Sequence, residues 1–124
     1  MERALRYELG QIFPGTGIFP TNAPKDFKPP FLVYFRDSTV WEKTLEGFTK
    51  AQDINWIINV MGATYEEMLT MREQVEQLCR NMLKAYIGEN NEVYIKDLDL
   101  NGVAEVYEHN LGLYRGIVDF TVYI

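Results

Sequence analysis

At 124 residues the chain is long enough for one domain that buries its own core without disulfide or metal staples. Its 47% hydrophobic and 24% charged content is that of an ordinary soluble globular protein, and its single cysteine, Cys79, excludes an intrachain disulfide. A net charge of −6, with the twelve Lys and Arg scattered, argues against a phosphate grip on nucleic acid, which depends on clustered basic residues releasing counterions.

Met1-Glu2-Arg3-Ala4-Leu5-Arg6 lacks the basic-then-apolar order of a signal peptide, and no apolar run approaches the ~20 residues that span a bilayer, so a soluble, cytoplasmically made protein is expected. Leu5, Leu9 and Ile12 at helical spacing predict a short helix over Arg3–Gln11. All five prolines fall between Pro14 and Pro30, which rules out helix or central strand there. None of them is spaced Pro-x-x-Pro, so the segment reads as a stiff lead-in loop rather than a docking motif, with Gly17–Pro20 a short extended piece at a sheet edge.

Three strands are then expected. Phe31–Asp37 is apolar on both faces at its start, as a central strand would be. Thr39–Phe48 alternates weakly and is read as a strand or as part of a long hairpin arm. In Asp53–Met61, Ile54, Trp56, Ile58 and Val60 form one face, with Asp53, Asn55 and Asn59 on the other. A helix is predicted over Tyr65–Tyr86, about 22 residues or roughly 33 Å. Thr64 serves as its N-cap with Glu67 completing a capping box, and Met68, Met71, Val75, Leu78 and Met82 form its apolar stripe. Gly88 and Asn90-Asn91 are expected to end it. Next, Glu92–Leu100 and Val103–Tyr107 flank Asn101-Gly102, a strong local signal for a hairpin turn. A last strand, Leu113–Ile124, sets Tyr114, Val118, Phe120, Val122 and Ile124 on one face. This order predicts an α+β fold, with a mostly antiparallel sheet packed against one long helix and a short N-terminal helix, in a single domain spanning 1–124.

Residues that carry chemistry are sparse. Asp97-Leu98-Asp99-Leu100-Asn101-Gly102 followed by Glu108 satisfies the Asp-x-Asp/Asn-x-Asp/Asn-Gly-x5-Glu pattern of a calcium loop. That loop needs a helix on each side, whereas Val93-Tyr94-Ile95 upstream is β-prone, so the hairpin reading prevails. His109 is the only histidine, and Cys79 lies on or beside the helix stripe, where a free thiol acts as a small hydrophobe. Gly15-Thr16-Gly17 lacks the preceding strand and following lysine of a phosphate loop. The reading is therefore no enzyme, no cofactor and no metal.

The order of signals resembles that of the tail-completion, or tail-to-head joining, family of long-tailed phages. Ile18-Phe19-Pro20 with Asn22-Ala23-Pro24 is similar to that family's lead-in, and Pro30-Phe31-Leu32-Val33-Tyr34 to its first strand. Thr44-Leu45-Glu46-Gly47 is similar to its hairpin segment and Ala63-Thr64-Tyr65-Glu66-Glu67 to its helix opening. Gly112-Leu113-Tyr114-Arg115 with Val118-Asp119-Phe120 is similar to its closing strand. The resemblance runs from about residue 12 to residue 124, carried by order and spacing rather than by any one motif.

It implies a tail-terminator virion protein at the tail–neck junction. Copies would form a ring, commonly a hexamer, that ends tail-tube polymerisation and offers a docking face to the head connector. Partners would be further copies, the tail-tube protein and the head-completion protein, with no membrane partner. A different neck or head-completion protein is the rival reading. A compact chain of this length is about 35 Å across, so six would leave a lumen roughly 35 Å wide. DNA would pass without specific binding if that lumen were acidic. Candidate partner contacts are Arg36, Trp41, Glu42, Lys43 and Phe48, on an alternately charged Arg36–Lys50 segment, and Asp99, Asn101 and Glu108. Trp41 either anchors an interface or packs in the core.

Overall fold

The alternation through Ile54, Trp56, Ile58 and Val60 and that through Val118, Phe120 and Val122 belong to neighbouring antiparallel strands, and both sets are buried on one face. A computed structural model describes residues 1–124. The elements are α1 (Glu2–Ile12), β1 (Gly17–Pro20), β2 (Phe31–Thr44), β3 (Gly47–Gly62), α2 (Tyr65–Met82), β4 (Tyr86–Ile87), β5 (Val93–Tyr94), β6 (Asp97–Glu108) and β7 (Leu113–Tyr123). Five strands make one mixed sheet in the order β1-β2-β3-β7-β6, with β1 parallel to β2 and the other pairs antiparallel. β4 and β5 form a separate two-stranded ribbon. The fold is α+β.

Both helices lie on the same face of the sheet. α1 contributes Ala4, Leu5 and Leu9 to a core that also holds Met68, Met71, Val75, Leu78, Cys79 and Met82 of α2 and the inward rows of the strands. Because alternate residues of a strand face opposite ways, Leu32, Tyr34, Ile54, Trp56, Ile58, Val60, Val118, Phe120 and Val122 share this side. Two glycines let α2 approach closely. A Cβ on Gly62 would stand 2.6 Å from the backbone nitrogen of Met68, and one on Gly116 would stand 2.9 Å from the Met68 Sδ. The Thr64 hydroxyl accepts from the Glu67 N–H at 3.1 Å, as the capping pattern predicts, while the Glu67 carboxylate reaches one residue further back, to the Ala63 N–H at 2.8 Å.

Three boundaries differ from those read in the sequence. Of the two readings of Thr39–Phe48, the long hairpin arm holds, and it is not a strand separate from Phe31–Asp37. β2 runs unbroken to Thr44, with a bulge between Arg36 and Ser38, and turns at Leu45-Glu46 into β3, making one long hairpin. α2 ends at Met82, not near Tyr86, because Lys84 takes a left-handed conformation (φ 56°) and the chain leaves for β4. Asn101-Gly102 is not a turn. β6 passes straight through it with a bulge between Leu100 and Gly102, and the chain reverses instead at His109–Gly112, where the Leu111 and Gly112 N–H groups donate to the Glu108 carbonyl. Pairing with β7 along the whole of β6 outweighs the local turn preference of Asn-Gly.

Candidate functional site

The face of the sheet away from the helices is only partly covered. The loop Thr21–Pro30 closes one corner, where Phe27 meets Phe19 edge-to-face at 4.8 Å and Phe31 at 5.7 Å, and this buries Phe31 and Val33. The rest is a polar ladder. Asn55 Nδ2 donates to Asp119 Oδ1 at 2.7 Å, and Asn101 Nδ2 donates to Asp119 Oδ1 at 3.1 Å and to Thr121 Oγ1 at 2.9 Å. The Tyr123 hydroxyl donates to Asp99 at 2.6 Å, and Arg115 pairs with Glu108 at 2.8 Å. Hydrogen bonding to Asp99 pushes the Tyr123 hydroxyl up to about 12. Strand register places Asp53, Asp97, Asp99, Asp119 and Glu108 on this face against Arg115 alone, an acidic surface.

The β2–β3 hairpin projects past the helices. Val40 (62% exposed), Trp41 (52%) and Phe48 (73%) are open to solvent, as is all of Leu45. Glu42 and Lys43 are exposed beside them, with Lys43 Nζ 5.5 Å from the Phe48 ring centroid. Trp41 therefore lies outside the core. Arg36, at the root of the arm, is half-buried. It donates to Glu2 at 2.7 Å and to Thr39 at 3.0 Å, and its guanidinium lies 5.4 Å from the Trp56 ring centroid. Burial opposes the Glu2 charge, but a backbone hydrogen bond and Arg36 outweigh it and hold that carboxyl below its ordinary value. Here β1 stops and leaves a groove of about 480 Å³ against β2, walled by Pro20, Tyr34, Phe35 and Trp56, whose buried indole N–H has no acceptor.

The eight residues singled out in the sequence thus fall into two groups. Arg36, Trp41, Glu42, Lys43 and Phe48 belong to the β2–β3 arm, and Asp99, Asn101 and Glu108 to β6, on opposite margins of the sheet. They do not converge. Asp53, Asp119, Thr121 and Tyr123 complete the acidic ladder and were missed, although their alternation against Phe120 marks their face.

The calcium-loop pattern lies along a single strand, so Asp97 and Glu108 stand roughly 36 Å apart, and no group of three metal-ligating side chains converges. His109 sits in the β6–β7 turn, its ring edge-on to Tyr107 at 4.7 Å. Cys79 is buried, and desolvation pushes its thiol up to about 12. No helix is long and apolar enough to cross a membrane.

No protein-family model and no curated protein matches the chain. Among solved structures it is similar to a chain of the virion of a native gene transfer agent particle, with a TM-score of 0.69 over 99% of this chain and 92% of that one, at 11% identity. At that identity the likeness is one of fold.

Proposed function

We propose that this chain is a structural protein of a phage-type virion, and that it caps the tail tube as a ring, ending polymerisation and presenting the surface to which the head connector docks. The observation that carries this is the near end-to-end fold likeness to a chain of a gene transfer agent virion. The order of motifs in the sequence points the same way and supplies the finer placement at the tail–neck junction.

The acidic ladder suits a ring through which DNA passes. Asp53, Asp97, Asp99 and Asp119 turned to a lumen repel phosphates within about a Debye length, ~8 Å at physiological salt, so the duplex is held off the wall rather than gripped. The exposed arm, with Trp41 and Phe48, supplies aromatic anchors for protein contacts.

Electron microscopy of lysates from a phage lacking this gene tests the role. DNA-filled heads beside detached, overlong tails are the expected result. Detached tails of normal length would mean a joining role alone, and empty heads a head-completion protein. Intact infectious particles would remove the virion role altogether.

A further inference from the structure

The sheet is open at both margins, and the two margins differ. On one side β1 covers β2 only from Phe31 to Tyr34, so the outer edge of β2 from Phe35 to Thr44 has no neighbour. On the other side β6 is the last strand along its whole length, Asp97 to Glu108, and every residue in it except Leu98 and Glu108 is exposed. Each margin leaves a row of backbone N–H and C=O groups unpaired, the usual template for adding another strand. Each also exposes apolar side chains, Val40 and Trp41 on one side and Leu100, Val103 and Tyr107 on the other.

We infer that these margins are the two halves of one contact, in which the free edge of β2 pairs antiparallel with β6 of the next copy, so that the sheet continues from subunit to subunit. This rests on the ring reading above and specifies how the ring is joined.

Three observations select that pairing. Strand direction is the first. β2 and β6 run in opposite senses, so copies placed side by side in the same orientation bring them together antiparallel. Charge is the second. Asp97–Glu108 carries Asp97, Asp99, Glu105 and Glu108 with no basic residue, so pairing β6 with itself sets four carboxylates against four. Phe35–Thr44 balances Arg36 and Lys43 against Asp37 and Glu42 and brings no such repulsion. A contact between unlike edges cannot close as a two-fold dimer and leads to a ring or a filament.

Free length is the third. Ser38 lies across from Asn55, Asn55 from Thr121 and Thr121 from Asp99, so Ser38 and Asp99 are the two ends of one row. Copies at one height would run Val103–Val106 through the place β1 already holds beside Phe31–Tyr34. The next copy is therefore shifted along β2 until its Glu108 stands beside Phe35 and its Val106 beside Ser38, about 5 Å across the ladder.

The test is cysteine crosslinking, for which the buried Cys79 does not compete. The double variants Ser38→Cys/Val106→Cys and, for a two-residue slip away from β1, Ser38→Cys/Glu108→Cys are oxidised or treated with a short bismaleimide. Each is examined in purified particles and as isolated protein at high concentration, on non-reducing gels. A ladder of dimers, trimers and higher species in a double variant, absent from each single variant, is the expected result. Dimers from a single variant would overturn the inference, since they mean a like-with-like contact. Protein present in particles but with no ladder from either double variant would overturn it while leaving the virion role in place. A ladder in isolated protein that never enters particles would keep the contact and remove the virion role.

Discussion

Replacing Gly62 by alanine probes the seat of α2 on the sheet. The added Cβ would lie 2.6 Å from the Met68 nitrogen and 3.0 Å from its Cα, against an ordinary contact of about 3.5–4.0 Å. Backbone cannot rotate away as a side chain can, so the first turn of α2 must lift by about 1 Å, carrying Met68 and Met71 with it. Overpacking of this kind costs about 1–3 kcal/mol, and the lower entropy of an unfolded alanine chain returns about 0.4–1 kcal/mol. The net centres on about 1.3 kcal/mol of destabilisation. With a urea m-value of about 2 kcal/mol/M, the midpoint falls by roughly 0.6–0.7 M. Far-UV circular dichroism in urea, at a concentration where dilution no longer shifts the midpoint, reads this directly. Gly102→Ala is the control, since its Cβ would meet nothing within 4 Å and should stay within about 0.5 kcal/mol of the parent. Equal stability of the two variants would refute the close approach of α2 to β3.

Four further outcomes are expected. Thr64→Ala removes the acceptor for the Glu67 N–H and should cost about 1 kcal/mol, seen as a lower melting temperature. Cys79, shifted from 9.0 to about 12, should react with an aromatic disulfide roughly a thousandfold more slowly at pH 8 in the native protein than after unfolding. The Tyr123 hydroxyl has its folded value raised to about 12 by Asp99, so its contribution is whole below pH 10 and is lost as the pH rises from 10 to 12. A tyrosinate absorbance titration of Asp99→Asn against the parent should show one tyrosine ionising earlier. On the proposed ring with this face turned to the lumen, particles carrying Asp53→Lys with Asp97→Lys should assemble but release DNA more slowly, with a delay that shrinks as salt rises.

The sequence was most legible where one physical constraint acted alone. The period-two runs ending at Val60 and Val122, and the three-and-four spacing from Met68 to Met82, each report a single buried face, and the structure buries them together. It misled where a local signal met a longer-range one. Asn101-Gly102 has the chemistry of a tight turn, yet the ladder from Asp97 to Glu108 against β7 takes it as a bulge, and Asn101 spends its amide on Asp119 and Thr121. Asp37-Ser38 reads as a break between strands for the same reason and is also a bulge. At the end of α2, nothing in Leu83-Lys84-Ala85 forbids helix. The positive φ of Lys84 is set by the ribbon of β4 and β5, and by the Ile95 N–H donating to the Ala85 carbonyl, contacts that no local pattern announces.

The candidate contact residues show a further limit. Arg36, Trp41 and Phe48 were singled out on an alternately charged segment with exposed aromatics, and Asp99, Asn101 and Glu108 as a second loop that turns out to be strand, yet the two sets lie on the two open margins of one sheet. Which strand is marginal depends on strand order, and strand order is a non-local property. Had β6 been paired on both sides, its alternation would read much the same, but Leu100, Val103 and Tyr107 would be covered and its backbone satisfied. A chain that leaves 12 residues of strand open on one side and the free length of β2 on the other, with four carboxylates guarding β6 against its own kind, has left the pairing that completes its sheet to another molecule. A copy of itself, shifted clear of β1, is the molecule whose strand direction, charge and length fit.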